Sequence, residues 1–239
     1  MTLTASNSAG KWAARSASTL IFMAAALAAL TAPVQAGIIA SSTFDTGLGG
    51  WTSNTPSQIA WQSTGGNPGG YVRFTDASGD GTVVWAPSSF LGNYASLGVS
   101  SISFDANIIA ETKVQSVGQY EIDLSGPGGS ATFLGNLPPA TYPTGWIAVT
   151  AAIAVDAPPS GWTVTSGTWL GLLANVTQVQ IPIELVTNSQ SGSWTDVEGI
   201  DNVTLTGSPA STPEPASLSL MFAGTGVLGL AWLLRRRTP

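Results

Sequence analysis

The chain contains neither cysteine nor histidine among its 239 residues. Zinc sites built from those residues are therefore excluded, and so are catalytic pairs in which histidine activates a serine or a cysteine. No disulfide can cross-link the fold, so a stable domain must rely on a sufficiently large hydrophobic core. The missing cysteines do not argue against export, although many exported proteins carry disulfides.

Charge is also scarce, at 8% of residues, and most of the basic residues lie near the two ends. Between Gly37 and Gly207, two basic residues, Arg73 and Lys113, stand against twelve acidic ones, which gives this segment a formal charge of −10. A surface this acidic repels phosphate backbones, so nucleic acid is not an expected partner. It suits cations, neutral ligands or simple solubility.

Residues 1–36 have the pattern of a secretory signal peptide. Basic residues precede a short apolar run from Leu20 to Leu30, and the small-residue pattern "VQA" ends at Ala36. We expect cleavage after Ala36, which leaves Gly37 as the first mature residue. A buried core helix and an uncleaved anchor are the alternatives, but the run is short for a bilayer core about 30 Å thick.

The C-terminal region predicts a transmembrane helix over residues 216–234. This stretch of 19 residues carries no charge and is followed at once by Arg235, Arg236 and Arg237. At about 1.5 Å per residue such a helix just spans the hydrocarbon. Arginines tend to remain cytoplasmic, which places the main domain outside. The alternative, a C-terminal core helix, would have to bury every face and still end in three arginines.

The order of segments at this end resembles the PEP-CTERM sorting signal of Gram-negative bacteria. Residues 208–215 read as a Pro/Ser linker, and Pro213, Glu214 and Pro215 precede the apolar helix and the basic tail within residues 212–239. The prolines favour an extended backbone and stop the helix from growing upstream. The resemblance implies an exosortase as partner, transient anchoring in the inner membrane, and release to the cell surface or extracellular matrix.

The segment from 37 to 207 alternates short apolar or β-branched runs with turn clusters such as "TGGNPGG" and "SGPGG". Many short strands with frequent turns predict an all-β domain, most simply a β-sandwich. One helical turn is expected at 168–175. The predicted strands cover residues 38–44, 70–74, 82–85, 100–107, 117–125, 146–153, 176–185 and 202–206.

Several motifs in this segment keep the order seen in the laminin B domain (laminin domain IV), which the chain resembles over residues 44–206. They are "FDTGLGGW" (44–51), "WQSTGGNPGGYVRFTD" (61–76), "VVWAPSSFLGNYASLGVSSISFD" (83–105), "LLANVTQVQIPIEL" (172–185) and "GIDNVTLT" (199–206). The chain lacks the cysteine-rich modules of animal laminins, so a basement-membrane role does not carry over. The resemblance implies a jelly-roll β-sandwich, similar to carbohydrate-binding modules, that binds extracellular polysaccharide or another matrix component.

Two sites within the domain are candidates for ligands. Asp45 follows the first predicted strand and Asp201 opens the last, and these strands lie close in a jelly roll, so the two carboxylates could share a structural calcium ion. Alternatively both carboxylates accept local backbone N–H groups. Trp162, after the turn "APPSG", is the tryptophan most expected to lie exposed on a loop and to contact a ligand.

Nothing in the sequence marks a catalytic pair among the twelve acids of the domain, although glycoside hydrolysis needs two acids at a defined separation. We therefore expect a non-enzymatic protein of the cell surface or matrix. A secreted enzyme acting on exopolysaccharide and a purely structural matrix protein are the alternatives.

Overall fold

The computed structural model describes residues 37–76, 81–188 and 195–207, and these contain fourteen β-strands and one short α-helix. The strands are β1 Gly37–Ser42, β2 Thr52–Ser53, β3 Ile59–Gly66, β4 Gly69–Thr75, β5 Val83–Trp85, β6 Val99–Glu111, β7 Val114–Val117, β8 Glu121–Gly126, β9 Gly129–Leu134, β10 Ile147–Ala152, β11 Trp162–Gly167, β12 Gln178–Pro182, β13 Val186–Asn188 and β14 Asp196–Gly207. Helix α1 is Trp169–Ala174, and a 3-10 helix covers Ser88–Phe90. The predicted signal peptide, linker, sorting tripeptide, transmembrane helix and tail arginines lie outside the described residues.

The strands form two six-stranded antiparallel sheets. The first has the order β10-β6-β14-β4-β3, with β1 also paired to β14, and the second has the order β11-β9-β8-β12-β5-β2. A two-stranded ribbon of β13 and β7 lies beside them. The first and last strands pair along their length, from Gly37 opposite Gly207 to Ser42 opposite Val203. The predicted all-β, jelly-roll-like β-sandwich is thus confirmed.

The hydrophobic core contains side chains from both sheets. Its fully buried members include Phe74, Ile102 and Ile200 from the first sheet, and Leu124 and Ile181 from the second. Along β8 the burial alternates, as expected for a strand with one face toward a core and the other toward solvent. A core of this kind explains how the domain folds without disulfides.

The sequence located most strands but missed three that are rich in glycine, serine and threonine and two very short ones. Strands β2, β3, β9, β11 and β13 were not predicted, and the predicted strand at 117–125 is divided between β7 and β8. The turn in "SGPGG" was correctly placed, because β8 and β9 are joined by a two-residue hairpin turn. In residues 37–76, 81–188 and 195–207, no helix has the length and apolar character needed to cross a bilayer.

Helix α1 begins with a side-chain cap provided by Thr168. Thr168 accepts a hydrogen bond from the backbone N–H of Gly171 at 3.1 Å, which satisfies one of the unpaired donors at the start of the helix. The helix buries Trp169, Leu172 and Leu173 and leaves Leu170 58% exposed. The predicted helical turn at 168–175 is therefore confirmed, and its amphipathic spacing anchors it on the core.

Replacing Thr168 by alanine removes this cap, and we expect a loss of about 1 kcal/mol of unfolding free energy. Denaturant unfolding followed by tryptophan fluorescence measures the change. Leu170→Ala is the matched control, since its side chain points to solvent, and should change stability by less than about 0.5 kcal/mol. Equal stabilities of wild type and Thr168→Ala would show that the cap is dispensable.

Candidate functional site

The turn between β3 and β4 brings both predicted calcium ligands to one place. A Cβ atom on Gly66 would lie 2.2 Å from the carbonyl oxygen of Gly70 and 2.6 Å from Oδ2 of Asp201. A Cβ atom on Gly69 would lie 2.1 Å from Oδ1 of Asp45. Both carboxylates therefore approach the turn so closely that only glycine fits without rearrangement.

The carboxylates at this turn are already engaged by protein groups. Asp201 is fully buried within β14 and accepts the backbone N–H groups of Asn67 at 2.6 Å and Asn202 at 2.7 Å. Asp45 is exposed and accepts a hydrogen bond from the Thr43 hydroxyl at 2.7 Å. Only the contact of Asp201 with Asn202 is of the kind expected from the alternative, in which each carboxylate accepts local backbone N–H groups. Calcium at Asp45 and Asp201 stays a prediction.

Asp105 is a third carboxylate at the turn that sequence reasoning missed. It is the register partner of Asp201 and accepts hydrogen bonds from the side-chain amides of Asn67 at 3.1 Å and Asn202 at 2.9 Å. Burial raises the pKa of Asp201, and the charges of Asp105 and Asp45 raise it further against the hydrogen bonds from Asn67 and Asn202. The alternation of polar and apolar residues in "SISFDAN" was the sequence feature that could have indicated Asp105.

Two aromatic rings lie against the same turn: Trp146 is half-buried and Tyr71 is buried, at 9% exposed. Tyr71 and Trp146 are in edge-to-face contact with their ring centres 5.4 Å apart, and Trp146 donates its indole N–H to the carbonyl of Gly65 at 3.1 Å. Gly199 makes room for the pair, since a Cβ there would lie 2.8 Å from the Tyr71 ring and 3.2 Å from Trp146. The aromatic pair is thus held in place by both the sheet and the turn.

These side chains form one partly exposed patch, which we call the hairpin surface. Its members are Asn67, Tyr71, Asp105, Trp146 and Asn202. It combines the half-buried ring of Trp146, backed by the buried ring of Tyr71, with amide and carboxylate groups held by hydrogen bonds. Such a combination can contact the apolar face of a sugar ring and also bond its hydroxyls.

Trp162 is not the exposed loop residue expected from the sequence. It opens β11, is 8% exposed, and packs against Phe133 at 5.6 Å and Trp169 at 5.3 Å between ring centres. Its indole N–H donates to the carbonyl of Ala152 at 2.8 Å. Burial follows from the pairing of β11 with β9, and Trp162 is therefore a core residue without access to a ligand.

A groove of about 680 Å³ is another candidate binding surface. Its lining includes Leu134 and Leu137, which are 44% and 62% exposed. The aromatic residues in that lining, Tyr120 and Phe133, are both buried. The groove therefore presents aliphatic groups but no open ring face, and the hairpin surface fits a sugar better.

Carboxylates close enough to share one ion occur elsewhere in the sandwich. Within the described ranges, ligand oxygens lie within 4.8 Å of one another in two groups that share Asp196, and neither group includes Asp45 or Asp201. The groups are Asp76, Glu184 and Asp196, and Glu111, Asp196 and Glu198.

The PEP-CTERM protein-sorting motif matches residues 211–237 of this chain. The recognition of that motif from the sequence is thereby confirmed. The motif indicates export and sorting to the surface, and it implies processing by an exosortase. No curated protein matches the chain at a significant level.

The solved structures that are similar to the chain include a laminin domain and carbohydrate-binding modules. The L4b domain of human laminin alpha-2 has a TM-score of 0.48 and 11% identity, with 72% of this chain and 98% of that domain covered. A family 22 carbohydrate-binding module of Clostridium thermocellum Xyn10B has a TM-score of 0.43 and 12% identity, with 72% and 95% covered. The mannan-recognising module TmCBM27 has a TM-score of 0.39 and 12% identity, with 72% and 98% covered.

Proposed function

We propose that this chain is a non-enzymatic, exported β-sandwich protein that binds a neutral polysaccharide at the cell surface or in the extracellular matrix. The sorting motif at 211–237 supports the destination. The observation that carries the binding role is the hairpin surface, where the half-buried ring of Trp146, supported by the buried Tyr71, lies beside polar groups.

The chemistry of the hairpin surface favours a neutral sugar polymer. An aromatic ring contributes dispersion and apolar contact area to the flat face of a sugar, and the carboxylate of Asp105 with the amides of Asn67 and Asn202 can bond its hydroxyl groups. The formal charge of −10 between Gly37 and Gly207 disfavours polyanions such as uronate-rich or phosphorylated polymers. The ligand class is therefore uncharged.

A non-enzymatic role is supported by where the perturbed acids lie. Burial raises the pKa of Asp196 to about 9, with further contributions from Glu111 and Asp76, and burial raises the pKa of Glu198 well above its usual range. Both residues are 1% exposed. A glycosidase needs its two carboxyl groups in contact with substrate and water, which these positions do not provide.

The route to the surface follows from the two ends of the sequence. The signal peptide, residues 1–36, directs export and is then removed, and the apolar helix 216–234 with Arg235, Arg236 and Arg237 holds the chain transiently in the inner membrane. An exosortase then recognises Pro213, Glu214 and Pro215 and releases the sandwich. Because prolines favour an extended backbone and stop a helix from growing upstream, we expect this tripeptide to be open to an enzyme.

Trp146→Ala tests the binding role. We expect it to lower the affinity of the full chain for a retained polysaccharide at least tenfold, because one ring contact of about 1.4 kcal/mol is lost. Affinity electrophoresis in gels containing xylan, mannan or the neutral polymer of the producing cells measures the retardation. Thermal unfolding of each variant separates lost binding from lost folding.

The matched control is Trp85→Ala. Trp85 is similarly half-buried and donates its indole N–H to Gln180 at 2.9 Å, but it lies in the second sheet. We expect this variant to be retarded like the wild type. Loss of retardation in both variants, or in neither, contradicts binding at the hairpin surface, and absence of retardation in every gel removes the polysaccharide role.

A further inference from the structure

One end of the sandwich buries a group of oxygen atoms that have no hydrogen-bond partner among the described residues. Besides the Tyr120 hydroxyl, whose pKa burial and the charge of Glu198 raise, the atoms are Oε1 of Glu111, Oδ1 of Asn188, Oδ1 and Oδ2 of Asp196, and Oε1 of Glu198. We call these four side chains the buried oxygen cluster. Such atoms are rare in folded proteins, because burying an unpaired polar atom costs about 1–3 kcal/mol, and more when it is charged.

The strand register explains how these side chains meet. Asp196 opens β14 and lies opposite Glu111, the last residue of β6. Glu198 lies opposite the core residues Phe74 and Ile108, so its side chain points toward the space between the sheets. Asn188 ends β13, and its side-chain amide donates to Glu111 at 3.3 Å. Three strands therefore contribute to one cluster.

Burial and spacing both suit a hard cation. Asn188, Asp196 and Glu198 are between 1% and 3% exposed. One carboxylate oxygen from each of the three acids lies within 4.8 Å of the others. Oxygens on opposite sides of one Ca²⁺ are about 4.6–5.2 Å apart, since Ca–O distances are about 2.3–2.6 Å. The donor set consists of carboxylate and amide oxygens, which are the ligands that calcium prefers.

The charges in the cluster require some compensation. The charges that act on Glu198 come from Asp196, Glu111 and Glu184, and all of them raise its pKa. Three like charges in a buried space are strongly unfavourable, so the carboxylates must either take up protons or bind a cation. A single cation can contact oxygens of all three acids at once, because these oxygens lie within 4.8 Å of one another, whereas one shared proton joins only two of them.

We propose that the buried oxygen cluster binds one Ca²⁺ ion, which joins the ends of β6, β13 and β14. Glu198 also accepts the backbone N–H of Leu185 at 2.8 Å through its other oxygen, so the ion would be tied to the segment that follows β12 of the second sheet. In a chain without cysteine, the ion takes the cross-linking role that a disulfide would have. The site is independent of sugar binding.

This site is separate from the turn at Asp45 and Asp201. Asp201 lies five residues beyond Asp196 along β14, which at about 3.4 Å per residue places the two roughly 17 Å apart. The neighbouring acids Asp76 and Glu184 already accept hydrogen bonds, from the Gln58 amide at 3.2 Å and the Thr82 backbone N–H at 3.0 Å. The buried oxygen cluster, whose oxygens lack such hydrogen bonds, is therefore the better candidate for an ion.

Calcium titration of the full chain, purified in detergent and stripped with EDTA, tests the site. Calorimetry should give one ion per chain, and calcium at about a hundred times Kd should raise Tm by roughly 5–10 °C. Magnesium at the same concentration should raise Tm by less, since a larger, more flexible oxygen site favours calcium.

Glu198→Gln is the decisive variant, because the amide keeps an oxygen for Leu185 while it removes the charge. We expect an unchanged or higher Tm without calcium and loss of the calcium-dependent rise. If this variant does not fold, Glu111→Gln at the half-buried edge gives the same comparison. Asp45→Asn is the matched control and should keep the full calcium response.

Three results overturn the proposal. If the wild type shows neither heat of binding nor a change in Tm, the cluster is a set of protonated acids. If Asp45→Asn abolishes the response and Glu198→Gln keeps it, the ion binds at the β3–β4 turn. If magnesium and calcium act equally, the site does not select calcium.

Discussion

Replacing Trp162 by alanine should destabilise the sandwich by about 3–5 kcal/mol, the cost typical of removing a large aromatic side chain from a core. The ring packs between Phe133 and Trp169, and its N–H is bonded to the carbonyl of Ala152. The variant therefore loses contact area, leaves a cavity and orphans a carbonyl group. Urea unfolding of the full chain in detergent measures the shift in midpoint.

Trp61→Ala provides the comparison, since Trp61 is 38% exposed and makes one hydrogen bond, to the carbonyl of Phe44 at 2.5 Å. Its loss should cost about 1 kcal/mol. Trp162→Phe should fall between the two, because it keeps most of the ring contact but not the N–H. A Trp162→Ala protein as stable as Trp61→Ala would mean that Trp162 is not a core residue.

The burial of Trp162 could not be predicted from the local sequence. The turn "APPSG" correctly predicts a loop before it, but whether the next side chain faces in or out depends on pairing with β9, about 30 residues earlier in the chain. The alternation of β6 and β8 and the density of turns were sufficient to predict a sandwich. Strands β3, β9 and β11 are rich in glycine, serine and threonine, so their local pattern did not distinguish them from turns.

The ligand sites were harder to predict than the fold. Asp45 and Asp201 both approach the β3–β4 turn, and the first and last strands of the sandwich are neighbours, but their shared calcium ion stays a prediction. Asp105 was missed because its role depends on its register with Asp201. The buried oxygen cluster was missed because nothing in the local sequence indicates that Glu111 and Glu198 lie between two sheets.

Changing the sorting tripeptide should have the largest effect on the protein in the cell. With Pro213→Ala, Glu214→Ala and Pro215→Ala combined, the sequence no longer opposes helix in this segment, since alanine favours helix and proline prevents it. We expect the full-length tail to remain on the chain and the protein to stay in the inner membrane. Cell fractionation followed by immunoblotting with an antibody to the sandwich measures both size and location.

Pro209→Ala is the matched control for this experiment. Pro209 lies in the same linker but outside residues 211–237, which match the sorting motif. This variant should reach the surface as the wild type does. Surface delivery of the triple variant at wild-type levels would show that the tripeptide is not what directs sorting.

The most direct measurement is the intact mass of the protein recovered from the cell surface or extracellular matrix. We expect a chain that begins at Gly37 and lacks residues 216–239, because both ends are removed on the way out. Such a product would be more acidic than the whole chain, having lost Arg235, Arg236 and Arg237. A full-length chain found in the inner membrane, with none at the surface, would contradict the account.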